Sequence, residues 1–370
     1  MRRQFSRAAP PRGANGPSMN SNSLEILTCP SCNSTEFDSK ILEGSSTDIQ
    51  EGIVWCANGD WFPIEDRVLE FLRPELQYRD DRKNFRARHH QELKALGLLE
   101  SESKAASRDL DGLGLIQAQQ HHFDWYAEND KQAYDSYAAM PFWKVVDRRT
   151  CAIWNAKIQA EPQAGRPAKL LLDVGCAQGR SALMVAQAGV RVIGFDISKR
   201  MVKQAYVNFN EPCKQPGEYD FLVADGSRFP FQSGVFDYAL VYGVLHHLPD
   251  PSAACKEIVR VLKAGGVYFG SENNRTIFRR IFDLLQRLSP AWHEEAGAQP
   301  LMSSNEFVHW FQGTGLAIQT SSTVFVPPHL VNVLGVKAGG FVLGATDAIL
   351  TALPFLSGQG GLILVEGTKT

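Results

Sequence analysis

From Leu170 onward, short apolar runs alternate with helix-type sequence, and this rhythm constrains the fold more than any other feature of the chain. The runs are Leu170-Leu171-Leu172, Val190 to Phe195, Tyr219 to Val223, Tyr238 to Tyr242 and Val267 to Gly270. Each has strand length and is apolar at consecutive positions, so both of its faces must be covered, as in a buried parallel sheet. Helices fit between them at Ser181 to Ala188, Lys199 to Phe209 and Ala253 to Leu262, the last opened by Asp250-Pro251-Ser252. Such alternation predicts a doubly wound α/β sheet. Two later runs, Leu316 to Val326 and Gly361 to Glu366, are expected to close it as an antiparallel pair.

The first run leads into Asp173-Val174-Gly175-Cys176-Ala177-Gln178-Gly179-Arg180, a strand entering a glycine loop and then a helix. Glycine lets backbone approach a ligand closely, and a helix N-terminus offers unpaired N–H groups. Taken alone, this loop also suits a dinucleotide. The order of acids behind it narrows the choice. Asp173 ends the first run, Asp196 ends the second and Asp225, before Gly226, ends the third. A carboxylate after the second strand can accept hydrogen bonds from both ribose hydroxyls. One after the third can accept from an adenine amino group. Phe236-Asp237-Tyr238 opens the fourth strand, and Lys263-Ala264-Gly265-Gly266 turns into the fifth.

From Leu170 to about Gly270 the chain resembles the class I S-adenosylmethionine-dependent methyltransferases. The resemblance implies a Rossmann-like seven-stranded sheet and S-adenosylmethionine as cofactor. It implies that Gly175 and Gly179 pass under the methionine portion of the cofactor, with Cys176 between them also among the cofactor-binding residues. Asp173 would order the loop and approach the amino end of that portion. Asp196 would bind the ribose, Ile197 the adenine face, and Asp225 with Gly226 the adenine edge. Tyr242 would sit at the end of the fourth strand, near the methyl. Ala177 departs from the pattern, since many members carry Gly there.

Methyl transfer to oxygen or nitrogen removes a proton from the acceptor, and a positioned His can take it. His246 and His247 directly follow the fourth strand and are the candidate bases; a structural pair capping the strand–helix turn is the bland alternative. Two further groups belong to the acceptor side. An aromatic stretch, His122-Phe123-Asp124-Trp125-Tyr126 with Tyr134, Tyr137 and Pro141-Phe142-Trp143, reads as a helical lid or as a packed helix pair. After the fifth strand, Asn273 and the insertion Trp292-His293-Glu294-Glu295 offer polar groups to an acceptor.

The N-terminal third reads differently. Residues 1–23 are rich in Pro, Gly, Ser and Asn and are expected to form a disordered leader. Residues 24–74 alternate short β-type runs with turns and carry Cys29-Pro30-Ser31-Cys32, the first half of a zinc knuckle. The second half offers Cys56 and then Asp60 in place of a second Cys or His. This segment resembles the small zinc ribbons that precede some bacterial methyltransferase cores. Two readings stand: a structural zinc site of Cys29, Cys32, Cys56 and Asp60, or a ribbon without metal folded on Trp55, Trp61 and Phe62. Residues 75–150 are expected to form a helical linker and lid, and 151–370 the methyltransferase domain.

Composition sets the remaining limits. A net charge of −2 gives no global footprint for nucleic acid or an anionic membrane, and leaves room only for a local basic patch. Seven cysteines, an odd and small number for 370 residues, argue against a disulfide framework and for a cytoplasmic setting. The uncharged window Ala348 to Val365 is broken by Pro354, Gly358, Gln359, Gly360 and Gly361, so it reads as helix, turn and strand, and no membrane span is expected. The expected activity is methylation of a small-molecule acceptor such as a natural product, a sugar or an isoprenoid-type metabolite. The rivals are an RNA methyltransferase, suggested by the ribbon, and a non-catalytic module that binds S-adenosylmethionine. Oligomeric state is not legible.

Overall fold

The computed structural model describes residues 19–99, 112–129, 139–158, 168–185, 189–209, 218–289 and 300–370. The expected strands all form: β5 (Lys169–Val174), β6 (Val190–Asp196), β7 (Glu218–Val223), β8 (Phe236–Tyr242), β9 (Leu262–Asn273), β10 (Leu316–Thr323) and β11 (Leu362–Lys369). Their order is β7-β6-β5-β8-β9-β11-β10. Neighbours from β7 to β9 are parallel, while β11 lies antiparallel between β9 and β10. The strand order reverses at β5, which places a ligand site beyond the carboxyl ends of β5 and its neighbours. This is the class I methyltransferase fold.

Period-two alternation explains the two cores. Leu171, Val192, Phe221 and Leu240 face α5 (Arg180–Val185), α6 (Lys199–Phe209) and Trp154 of α4 (Pro141–Asn155). Leu172, Ile193 and Val241 face the other layer, built from α7 (Pro251–Val261) and α9 (Ser304–Phe311). The Asp250 side chain caps α7 by accepting from the Ala253 N–H at 3.0 Å. The expected turn at Lys263–Gly266 is absorbed into β9, where the register against β8 slips between Phe236 and Tyr238. Asp237 staples this region: it accepts from the Leu170 N–H at 3.0 Å and from Lys263 Nζ at 2.8 Å.

The N-terminal segment departs from the expectation of a separate ribbon. Strands β1 (Phe37–Ser45), β2 (Asp48–Cys56), β3 (Trp61–Glu65) and β4 (Val68–Glu70) form an antiparallel meander. β4 then pairs in parallel with β7, extending the sheet to 11 strands. Val54, Phe62, Ile64 and Leu69 join the same core as Leu172 and Val241, while Ile53 and Trp61 pack with Phe85, Leu93 and Leu98 in a smaller cluster within the N-terminal segment. The expected leader also ends earlier than residue 23. Met19 is buried, Ser21–Ile26 forms a 3₁₀ helix, and the Ser23 hydroxyl donates to Asp220 at 2.6 Å. Residues 1–18 lie outside the described residues.

Charged packing joins the two halves. Lys199, at the start of α6, is buried and lies 3.1 Å from Glu65, 3.1 Å from Glu70 and 2.9 Å from Asp81. Asp81 belongs to α1 (Arg79–Arg88), which α2 (His90–Ala95) follows. Burial alone would lower the Lys199 ammonium, but the Glu70, Asp81 and Glu65 carboxylates outweigh it and hold the group protonated.

Two more helices frame the site: α3 (Leu113–Asn129) and α8 (Ile277–Leu288). The longest helix, α10 (Pro328–Thr351), alters the membrane reading. The expected helix, turn and strand do occupy the Ala348 to Val365 window. However, α10 begins 20 residues before that window and is, by length and composition, apolar enough to cross a membrane. The sequence window missed it because it was centred beyond the end of this helix.

Candidate active site

A cavity of about 470 Å³ lies across the carboxyl ends of the central strands. It collects Gly175, Cys176, Asp196, Ile197, Asp225 and Gly226 from the ends of β5, β6 and β7. Tyr242, His246 and His247 line it after β8. Gly179 and Asp173 do not line it. The backbone geometry accounts for the loop. Gly175 has φ +63°, and a Cβ there would come within 2.6 Å of the Val244 side chain. Gly179 has φ +79°, with the Phe209 ring at 2.5 Å from such a Cβ. Ala177 adopts φ 44°, a left-handed conformation that costs a non-glycine residue about 1–2 kcal/mol. The strain identifies why glycine suits this position.

Each acid has a distinct environment. The Asp173 carboxylate is fully buried and accepts from Ser181 Oγ at 2.9 and 2.8 Å, so it ties the loop to α5. Burial pushes it up to about 7. Its oxygens meet Ser181, which lines the cavity, so Asp173 stands one side chain back from it. Asp196 accepts from the Ala177 N–H at 3.0 Å and the Ser198 N–H at 2.8 Å. Burial raises it to about 6, against the lowering by those two backbone donors. Asp225 accepts from the Ser227 N–H at 2.8 Å, and the Arg73 guanidinium stands 3.0 Å from its other oxygen. Arg73 comes from the N-terminal segment, immediately after β4. Sequence reading missed it because nothing local relates residues 73 and 225; only the β4–β7 pairing brings them together.

Glu272 is the second residue the sequence concealed. It is buried near the end of β9, and its Oε1 accepts from the N–H groups of Val244 at 2.9 Å and Leu245 at 2.7 Å. Its Oε2 lies 2.7 Å from His246 Nδ1. A carboxylate at Nδ1 fixes the proton on that nitrogen and makes Nε2 the basic one. The ring of His247 lies 4.0 Å from that of His246, tilted by 44°, and meets Phe123 edge-on at 5.3 Å. Tyr242 donates its hydroxyl to Asp147 at 3.0 Å, and Asp147 also pairs with Arg180. Glu272 is a buried acid in an ordinary-looking Ser271-Glu272-Asn273 string; its position after an apolar strand, next to a histidine pair, was the available signal.

The aromatic stretch does form a cover. Phe123 and Tyr126 of α3 and Phe142 and Trp143 of α4 line the cavity. Asp124 latches α3 onto the start of α6, accepting from Ser198 Oγ at 2.7 Å and the Arg200 N–H at 3.2 Å. Trp125 points outward. Asn273 lines the cavity and accepts from Arg279. Tyr134, Tyr137 and Trp292-His293-Glu294-Glu295 lie outside the described residues.

The four candidate metal ligands also converge. One ligand atom from each of Cys29, Cys32, Cys56 and Asp60 lies within 4.8 Å of all the others. Cys32 and Cys56 sulfurs are 3.6 Å apart, and Asp60 Oδ2 is 3.6 Å from Cys29 and 3.8 Å from Cys56. Tetrahedral zinc with bonds of about 2.3 Å spaces its sulfur ligands about 3.8 Å apart, so the donor set fits. Burial pushes the Cys29 and Cys56 thiols up. At Cys32, hydrogen bonds from the Ser34 backbone and Asn58 outweigh burial and bring the thiol down.

Residues 172–270 match the family described as methyltransferase domain. A ubiquinone biosynthesis O-methyltransferase from Aromatoleum aromaticum is 30% identical over 123 residues, 33% of this chain and 51% of that protein. The O-methyltransferase resE of Aspergillus sclerotiorum is 33% identical over 96 residues, 26% of this chain and 36% of that protein. Among solved structures, the magnesium protoporphyrin IX methyltransferase of Synechocystis is 15% identical with a TM-score of 0.46, over 68% of this chain and 100% of that chain. The chain spans about half or less of the length of these two curated relatives.

Proposed function

We propose that the protein transfers a methyl group from S-adenosylmethionine to an oxygen of a small-molecule acceptor, with His246 as the general base. One observation carries the reading: a single cavity joins the Gly175 loop, Asp196 and Asp225 to the Glu272-oriented His246. Its volume is in the range of about 300–1,000 Å³ usual for small-molecule sites. The two curated relatives named above are O-methyltransferases, which supports oxygen as the accepting atom.

When bound, S-adenosylmethionine supplies a methyl carbon activated by its positive sulfur. Asp196 would accept hydrogen bonds from the ribose hydroxyls, Ile197 would pack on the adenine, and Asp225 with Gly226 would meet the adenine edge. Asp173 keeps the loop in place through Ser181. His246 Nε2 takes the proton of the acceptor hydroxyl, while Glu272 holds Nδ1–H and stabilises the resulting imidazolium. The α3 and α4 aromatics exclude water and align the acceptor. The acceptor classes in this reading are natural products, sugars and isoprenoid-type metabolites.

Cys29, Cys32, Cys56 and Asp60 hold a structural zinc ion in this reading. The ion would fix the start of the meander that places Arg73 beside Asp225. Metal analysis of the purified chain tests this, with one zinc per chain expected and a metal-free protein of unchanged stability against it. The catalytic role is tested by His246→Ala, which should lower kcat by about 10²–10⁴ while leaving cofactor affinity unchanged. An unchanged kcat would remove His246 as base.

A further inference from the structure

Helices α8 and α10 carry exposed apolar side chains. On α8, Ile277, Ile281, Leu284 and Leu288 fall at i, i+4, i+7 and i+11 and are 48–75% exposed. Phe282 and Gln286 on the opposite side are buried. The helix is therefore apolar outward as well as inward. On α10, Val333, Phe341 and Ile349 are exposed, and Phe355 just beyond it is 95% exposed. Only 17% of the most apolar stretch of α10 is buried. The two helices adjoin: His329 Nε2 lies 2.6 Å from the Ser289 carbonyl, and Phe282 shares a core with Val331 and Leu343. Large exposed apolar side chains grouped on two adjoining helices mark an interaction surface.

Its charge selects the partner. Arg280, Arg287 and Lys337 are exposed on these two helices. Their acids are engaged elsewhere: Asp283 pairs with Arg279 at 2.7 Å, and buried Asp347 accepts from the Val324 N–H and faces Arg149. The face is thus apolar with a cationic fringe, the pattern of a helix that lies in an anionic lipid interface. It does not span. α10 breaks at Gly335, with φ 74° and ψ 178°, and its Val331, Leu343 and Asp347 side packs on α4.

We infer that the α8–α10 face docks the protein peripherally on an anionic bilayer, with Ile281, Leu284, Phe341 and Phe355 entering the lipid and Arg280 and Lys337 facing its headgroups. The same two helices border the cavity, through Phe282 and Arg287 of α8 and Pro328 of α10, so the cavity lies next to the docked surface. The inference stands independently of the acceptor's identity.

The test is flotation of the full chain with phosphatidylcholine vesicles, with and without phosphatidylglycerol. The chain should float with the phosphatidylglycerol vesicles and bind pure phosphatidylcholine about tenfold less, and added salt should weaken the anionic binding. Ile281→Ser with Leu284→Ser, and separately Phe341→Ser with Phe355→Ser, should each lower vesicle partitioning at least about tenfold at unchanged melting temperature. Arg280→Glu with Lys337→Glu should abolish the preference for anionic lipid. Absence of flotation, or variants that partition like the parent, overturns the proposal. A concentration-dependent dimer that the same variants dissolve would assign the face to a second copy. Resistance to alkaline extraction from the vesicles would assign α10 as a span.

Discussion

Asp196 holds the nucleoside loop and is also the acid assigned to the ribose. It accepts from Ala177 and Ser198 on one side and faces the cavity on the other. Asp196→Ala should lower S-adenosylmethionine affinity about 100-fold, the loss of two charge-assisted hydrogen bonds of about 1.5 kcal/mol each, measured by calorimetry. Its pH dependence follows from burial. The carboxyl is raised from its ordinary value to about 6 in the folded protein, so it binds a proton more readily folded than unfolded. Its contribution to stability is greatest at low pH and falls as pH rises through 6. Cofactor affinity runs the other way, because only the carboxylate accepts two hydroxyl protons: the Kd should tighten as pH rises from 5 to 7. A pH-independent Kd would remove Asp196 from the ribose. This residue was legible in the sequence because one strand and one loop fix its place. Glu272 and Arg73 were not, since each acts on a partner supplied by a distant segment. Asp173 was legible as a loop-ordering acid, but the direction of its oxygens depended on Ser181 and packing.

At the scale of elements, the sheet between β5 and β9 was readable because buried parallel strands are apolar at successive residues. The closing pair β10 and β11 was readable as two late apolar runs. What sequence did not convey was the docking of the N-terminal meander edge-on to β7, because a β4 of three residues carries no periodicity. Lys199 records that docking. It meets Glu65, Glu70 and Asp81 in a buried cluster, so Lys199→Ala leaves uncompensated acids and should destabilise the protein by about 3–5 kcal/mol in urea denaturation. A loss under about 1 kcal/mol would mean that the two halves are not coupled there. Arg73→Ala should weaken cofactor binding several-fold without a comparable loss of stability, since Arg73 is partly exposed and its partner Asp225 lines the cavity. Equal affinity would leave the meander with no role at the nucleoside.

For the whole molecule, the 11-stranded sheet puts a metal-type knuckle at one end, an apolar helical face near the other, and the cavity across the central strands. The expected absence of a membrane segment rested on the window Ala348 to Val365, broken by Pro354 and the glycines after it; α10 begins upstream of that window, and its exposure emerges only once packing is known. A small-molecule acceptor also separates from a nucleic acid at this scale. Activity on a small molecule should change little between low and physiological salt, whereas each phosphate contact would impose a steep salt slope. The most direct test of the central claim is isothermal calorimetry of the full chain with S-adenosylmethionine, followed in the same preparation by measurement of S-adenosylhomocysteine released with hydroxylated acceptors. Saturable one-to-one binding, lost in Asp196→Ala, with acceptor-dependent release lost in His246→Ala, is the result expected. Binding that survives Asp196→Ala, or binding with no release for any acceptor, would contradict it.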